Sequence, residues 1–230
     1  MTDAGTGTRT VERALALLAS VAERGGTLSQ LAREAELSPS TASRLLATLA
    51  AAEMVRRDEH GHYQAGSRLR QLAAATLRED PLYELAGPHL EALAGETGET
   101  ANLAVGADEE RVVYLRQFAG PKLVQTAGWA GRTIPRRGTA LGDAMGGAVN
   151  GHGYAARAGA VEPDVTSIAA PVFGPAGEIA AALSVLAPSY RVSRRRIELC
   201  GRAVARHAAE LSRSLGAPGQ RPEPRKAVAG

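Results

Sequence analysis

The chain has 230 residues, 44% of them hydrophobic and only 3% aromatic, so a core can form but must be built from Ala, Leu and Val. Its one cysteine, Cys200, excludes an internal disulfide; a polar N-terminus and the lack of a long apolar run predict neither signal peptide nor membrane span, hence a soluble cytoplasmic protein. Net charge is +3, but residues 1–80 carry ten Arg against ten acids, so bulk basicity does not argue for DNA binding and only the direction of single arginines can.

Residues 1–8 read as a disordered tail. Thr10 is placed to cap a first helix in which Val11, Leu15, Leu18 and Val21 or Ala22 recur at helical spacing, ended by Gly25-Gly26. Thr27-Leu28-Ser29-Gln30 is a capping box that opens a short helix with Leu28, Leu31, Ala32 and Ala35 on one face. After a break at Glu36-Leu37, Ser38 caps a third helix with Pro39 as its first residue. Ala42, Leu45, Leu46 and Leu49 share one side of it. Ser40, Thr41, Arg44 and Thr48 share the other, with Ser43 at the edge and no acid until Glu53. Hydroxyls at a helix N-terminus donate to phosphates, where the helix dipole favours an anion, and Arg44 is long enough to reach a guanine edge or a phosphate. An ordinary solvated face has the same residues; the next stretch favours the first reading.

Met54–Arg57 and His62–Ala65 are β-like runs around Asp58-Glu59-His60-Gly61, and Gly61 supplies the positive φ of a tight turn. A hairpin directly after such a helix is a wing, from which Arg56, Arg57, His60 and His62 would meet the DNA backbone or minor groove. Salt bridges from Arg56 and Arg57 to Asp58 and Glu59 are the plainer alternative. The stretch has the outline of a winged helix-turn-helix, with Ser38, Ser40, Thr41, Ser43, Arg44 and Thr48 as its helix contacts to double-stranded DNA.

Residues 67–78 form a helical pattern, and Asp80-Pro81 starts another over about 82–96, in which Pro88 predicts a kink or a late start. From Thr100 the period changes to that of strands: 100–105, 111–118, 122–127, 165–173 and 178–186. Thr139 starts a short helix, and a closing helix from about Ser193 carries Ile197, Cys200, Val204, Ala208, Leu211 and Leu215 on one stripe. The tail after Gly216 has no packing pattern.

The run Val11 to Leu72 resembles the DNA-binding domain of the IclR-type bacterial transcription regulators. Val11-Glu12-Arg13-Ala14-Leu15, Leu31-Ala32, Pro39 to Leu46 with Leu49, and Arg57-Asp58 through Tyr63 to Gly66 carry the resemblance. Ala65, and Glu53-Met54 in place of a common Gly-Leu/Phe step, depart from it. Gly153-Tyr154-Ala155, Ser167 to Phe173 and Ala181 to Val185 resemble the family's effector-binding domain, although Gly146 to His152 replaces about thirty further residues of pocket wall. The resemblance implies an α+β chain: a winged helix-turn-helix over 9–66, a linker helix over 67–80, and an effector-binding and oligomerisation domain over 81–216, an antiparallel sheet flanked by helices, with tails at 1–8 and 217–230. It also implies dimers that can pair again and a small organic acid or aromatic effector. Carried over by position, Ala140, Leu141, Arg157, Ser167 and Ser184 line the pocket; Arg157 either pairs with an anionic effector or is solvated on a loop. Trp129 either stacks on the ligand or is core.

The histidines are scattered, and His60-Gly61-His62 has no third ligand in view, so no metal site is expected. Asp143, His152 and Ser167 lack a nucleophile-elbow sequence, so no catalytic residue and no cofactor is expected. Cys200 reads as a small buried hydrophobe and Arg194–Arg196 as a solvated helix start. The reading is a ligand-responsive repressor that binds a pseudo-palindromic operator as a homodimer, since one winged domain reads only a few base pairs. A small-molecule-binding module or hydrolase-like enzyme without a DNA role is the alternative.

Overall fold

The computed structural model describes residues 4–126 and 128–218. The chain divides into two compact units between Glu79 and Asp80. Most of the expected C-terminal tail, 219–230, and the start of the N-terminal one, 1–3, lie outside the described residues.

The first unit contains α1 (Ala4–Glu23), β1 (Gly26–Thr27), α2 (Leu28–Glu34), α3 (Pro39–Ala51), β2 (Val55–Arg57), β3 (His62–Ala65) and α4 (Ser67–Arg78). The helix starts follow their caps. Thr27 accepts from the Gln30 amide while the Gln30 side chain accepts from the Thr27 N–H, and Ser38 accepts from the Thr41 amide. Glu36 makes the break after α2 with φ 53°. The helices pack around Leu17, Val21, Leu31, Ala42 and Leu46, while β1-β3-β2 form an antiparallel sheet.

Two expectations fail in α1. The helix begins at Ala4, so Thr10 lies inside it and residues 4–8 are helical; once packed turns nucleate a helix, each added residue contributes a hydrogen bond at little cost. Its buried stripe is Leu17 and Val21 with Ala14 and Leu18 alongside, whereas Val11 and Leu15 are more than half exposed. An Ala- and Leu-rich helix offers two overlapping apolar stripes, and only its neighbours select one. Glu53 falls on a left-handed residue, φ 57°, a conformation that costs a side-chain-bearing residue about 1 kcal/mol. The Ser67 hydroxyl donates to its carboxylate at 2.5 Å.

The second unit contains α5 (Pro81–Thr97), β4 (Thr100–Gly106), β5 (Arg111–Phe118), β6 (Thr133–Pro135), α6 (Ala140–Met145), β7 (Ala155–Ala158), β8 (Val165–Phe173), β9 (Ile179–Pro188) and α7 (Arg194–Ser214). Its sheet is antiparallel with order β6-β5-β4-β9-β8-β7. The helix α5 starts at Pro81 and runs through Pro88, so the late start is wrong. Burial of Ala86, Leu90, Leu93 and Ala94 outweighs the one backbone bond that Pro88 cannot make.

Alternation sorts the strands. Ala101, Leu103, Ile168, Ala170, Leu183 and Val185 point to α5 and α7. Ala104, Ala169, Ala182 and Leu186 face α6. The expected strand 122–127 is absent among the described residues of that span. Its groups are engaged elsewhere: Lys122 Nζ on Glu99 at 2.5 Å, the Val124 carbonyl by Arg191 at 2.9 Å, and the Gln125 amide on the Gly120 carbonyl at 2.5 Å. Leu123 projects fully into solvent.

Candidate DNA-binding surface and effector cavity

The polar face of α3 is built from its cap outward. Ser38 Oγ lies 3.1 Å from Ser40 Oγ and 2.9 Å from Thr41 Oγ1, gathering three hydroxyls at the helix N-terminus. Ser40, Ser43, Arg44 and Thr48 are exposed, while Thr41 is half-buried. Thr48 Oγ1 donates to the Arg44 carbonyl at 3.1 Å. Arg44 forms no ion pair among the described residues. The α3 sequence PSTASRLLATLAA contains no acid, so nothing opposes an anion along this face.

On the wing, Asp58 organises the tip. The His62 and His60 amides donate to its Oδ1 at 2.9 and 3.0 Å, and Gln64 donates to Oδ2 at 3.0 Å. The His62 amide bond foremost holds the Asp58 carboxyl below its ordinary range. Gly61 closes the turn with φ 82°. Arg56 donates to Gln64 Oε1 at 2.5 Å; Arg57 donates to the Gly61 carbonyl at 3.4 Å and sits 5.7 Å from the Tyr63 ring. Neither arginine pairs with Asp58 or Glu59 among the described residues, so the plainer salt-bridge reading fails: the acid is occupied by backbone amides. Both guanidiniums remain exposed, as do His60 and His62, which lie near Glu59 (3.6 Å) and Asp58 (4.0 Å).

In the second unit, a cavity lies between α6 and the sheet, lined by Tyr114, Trp129, Ala140, Arg157, Ser167 and Leu186 among others. Four of the six expected effector residues are therefore brought together. Leu141 and Ser184 are fully buried off the cavity wall. The cavity is about 20 Å³, enough for about one water molecule. Trp129 is 5% exposed with its ring centroid 5.5 Å from that of Tyr114, and Arg132 stacks on it from 5.3 Å. Burial pushes the Tyr114 phenol up.

Arg157 has the exposure expected of a solvated arginine, with its side chain 53% exposed, but differs in its place and its partner. It stands on β7 rather than on a loop, and its Nε donates to Asp143 Oδ2 at 2.7 Å, so its charge is already paired. The hydrogen bond to Asp143 raises its pKa further.

The sheet face under α6 holds an unusual set of polar atoms. Thr100 Oγ1, Asn102 Oδ1, Ser184 Oγ and Trp129 Nε1 are buried with no hydrogen-bond partner among the described residues. Asn102 stands opposite Ser184, Thr100 opposite Leu186, and Ser167 also opposite Leu186, so these side chains share the α6 face. A buried unpaired polar group costs about 1–3 kcal/mol, and several on one face need an explanation. Tyr114, Thr100 and Asn102 escaped the sequence reading. The signal was present: polar residues alternate with Ala101, Leu103 and Val105 in a strand too apolar to be exposed on either face.

Because Ser184 Oγ has no partner among the described residues, Ser184→Ala should leave urea-unfolding stability unchanged or raise it by about 1 kcal/mol. A loss above about 1 kcal/mol would show instead a satisfied core hydroxyl.

Comparison with known proteins follows the same division. The family model for the IclR helix-turn-helix domain matches residues 10–59. That for the bacterial transcriptional regulator IclR C-terminal domain matches residues 74–149 and 147–213, two pieces that meet in the short segment before Gly153. The HTH-type transcriptional regulator BhcR of Paracoccus denitrificans (strain Pd 1222) is 29% identical over 243 residues, covering 90% of this chain and 87% of that protein. An IclR transcriptional regulator from Alicyclobacillus acidocaldarius has the same fold, with TM-score 0.77 at 23% identity over 90% of this chain and 99% of that one. An IclR homolog from Microbacterium hydrocarbonoxydans, solved with 4-hydroxybenzoate, matches with TM-score 0.70 at 22% identity over 89% of this chain and 99% of that one.

Proposed function

The chain belongs to the IclR family of bacterial transcriptional regulators, DNA-binding proteins with a C-terminal effector domain rather than enzymes, and on that premise we propose how this member works. A homodimer reads a pseudo-palindromic operator in double-stranded DNA, and a small aromatic acid bound in the C-terminal domain alters that reading. The observation that carries the DNA half is the acid-free face of α3, with an unpaired Arg44 among capping hydroxyls. Ser38, Ser40, Thr41, Ser43 and Thr48 position the helix on phosphates, and Arg44 reads a base edge. Arg56, Arg57, His60 and His62 follow the backbone from the wing. The division of labour runs from a DNA-binding 9–66 through a linker at 67–80 to an effector-binding and oligomerising 81–216.

The unpaired polar atoms beside an aromatic wall support the effector half. Trp129 Nε1 and the Ser167 hydroxyl are donors for a carboxylate or phenol, and Tyr114, Trp129, Ala140 and Leu186 enclose an apolar body, with Leu141 and Ser184 buried behind the wall. The Microbacterium homolog's 4-hydroxybenzoate has this chemistry. A cavity this small admits it only when the wall at Ala160–Glu162 moves out. Ligand energy spent on that displacement biases the linker, and with it the spacing of the two recognition helices.

Selection from random duplexes tests the reading. The expected product is a motif of two inverted half-sites about one helical turn apart. A domain with balanced charge has little bulk attraction for DNA, so binding without the motif should be weak. Enrichment of no motif would leave only a small-molecule-binding module.

A further inference from the structure

Five histidines are spread over the chain without a ligand spacing, yet folding brings two together. His89 on α5 and His207 on α7, separated by 118 residues in sequence, approach with their Nδ1 atoms 3.4 Å apart and their rings nearly edge-on at 73°. Glu210 is one turn beyond His207 on the same face of α7. Its Oε2 lies 3.9 Å from His89 Nδ1 and 3.8 Å from His207 Nδ1. We propose that His89, His207 and Glu210 bind a first-row divalent transition-metal ion, zinc foremost, that fastens α5 to α7.

The distances fit the chemistry. With edges of 3.4, 3.9 and 3.8 Å, the point equidistant from the three atoms lies about 2.1 Å from each, close to the Zn–N and Zn–O bond length but in their plane, so a tetrahedral ion draws Glu210 toward the two imidazoles by about 0.5 Å. Two imidazole nitrogens and one carboxylate oxygen suit zinc rather than magnesium or calcium, which take oxygen ligands. The fourth position of a tetrahedral site goes to water. Ligating histidines usually present their other nitrogen to a carboxylate, and Glu96 Oε2 lies 3.4 Å from the buried His207 Nε2, within ion-pair distance but without hydrogen-bond geometry. Arg206 pairs with the same Glu96 carboxylate and holds it in place. His207 is buried, while His89 and Glu210 keep side-chain exposures of 19% and 37%, so an ion can enter from solvent. The four side chains lie on α5 and α7, the two helices that cover one sheet face, away from the effector cavity.

Zinc titrated into the tag-free, full-length, EDTA-dialysed chain tests this by calorimetry and thermal unfolding. One equivalent should bind and raise Tm by several degrees, because an ion that binds only the folded state stabilises it by mass action. Cobalt(II) in place of zinc should give the visible bands of a four-coordinate ion. His89→Gln and Glu210→Gln should each weaken zinc at least tenfold with unchanged circular dichroism; both are partly exposed, so folding survives. Zinc uptake equal in these variants would place the ion on the exposed His60, His62 or His152 and overturn the proposal. No stoichiometric uptake by the parent chain, or an equal Tm rise with magnesium, would do the same.

Discussion

Arg44→Ala should lower affinity for the selected operator by about 1–3 kcal/mol per half-site, so at least about thirtyfold for the dimer, while folding is unchanged. The expectation rests on its surroundings. Arg44 is exposed, forms no ion pair among the described residues and stands on a helix whose apolar side, Ala42, Leu45 and Leu46, carries all of the packing. Removing the side chain therefore takes away a contact to DNA and nothing from the core. Electrophoretic mobility shifts at several salt concentrations distinguish its two possible partners. A guanine contact predicts relaxed preference at one position of each half-site. A phosphate contact predicts uniform weakening and a salt slope reduced by about one per copy. Unchanged affinity and unchanged salt slope would remove α3 from the interface.

The largest effect on stability belongs to Glu99. Its carboxylate is 2% exposed and is held by Lys122 at 2.5 Å and by Arg191 through two bonds of 2.6 and 3.2 Å. The Glu99 bond raises the pKa of Arg191. Glu99→Ala strands two cations. Breaking a buried pair from one side costs about 3–5 kcal/mol; Lys122 is 38% and Arg191 20% exposed and can rehydrate in part, so the lower end applies. Urea unfolding should show a loss of about 3 kcal/mol, with Tm lower by about 6–12 °C. The same substitution should loosen the segment 121–126 that Lys122 and the Val124 carbonyl tie down, and with it the approach to Trp129. A loss below about 1 kcal/mol would mean that the triad is replaceable by water.

Local chemistry made the DNA-binding half legible in sequence. A capping box at Thr27, Ser38 before Pro39, and Gly61 in a two-strand turn each act within a few residues, so their outcome depends little on the remaining chain. The strands β4, β8 and β9 were equally readable, as near-continuous apolar runs between turn residues, because both faces of that sheet are covered. Segment 122–127 has the same local pattern as a strand, but long-range partners claimed its polar groups. The stripe of α1 was ambiguous for a related reason: alanine satisfies either face until a neighbour packs against one.

The sequence by itself determined the winged helix-turn-helix and the polar stripe on its third helix, products of contacts between residues close in the chain; the antiparallel sheet domain came through the family resemblance, because its central pair β4–β9 joins Thr100 to Leu186. Only the tertiary structure decided that Arg157 is bound to Asp143 and that Glu99 meets Arg191 from 92 residues away. It alone placed Asn102 Oδ1 and Ser184 Oγ, both without a partner among the described residues, on opposed residues of β4 and β9, and His89 with His207 and Glu210. Pairings of this kind have no local periodicity, because strand register and helix docking, set by burial over the whole domain, choose which distant side chains meet.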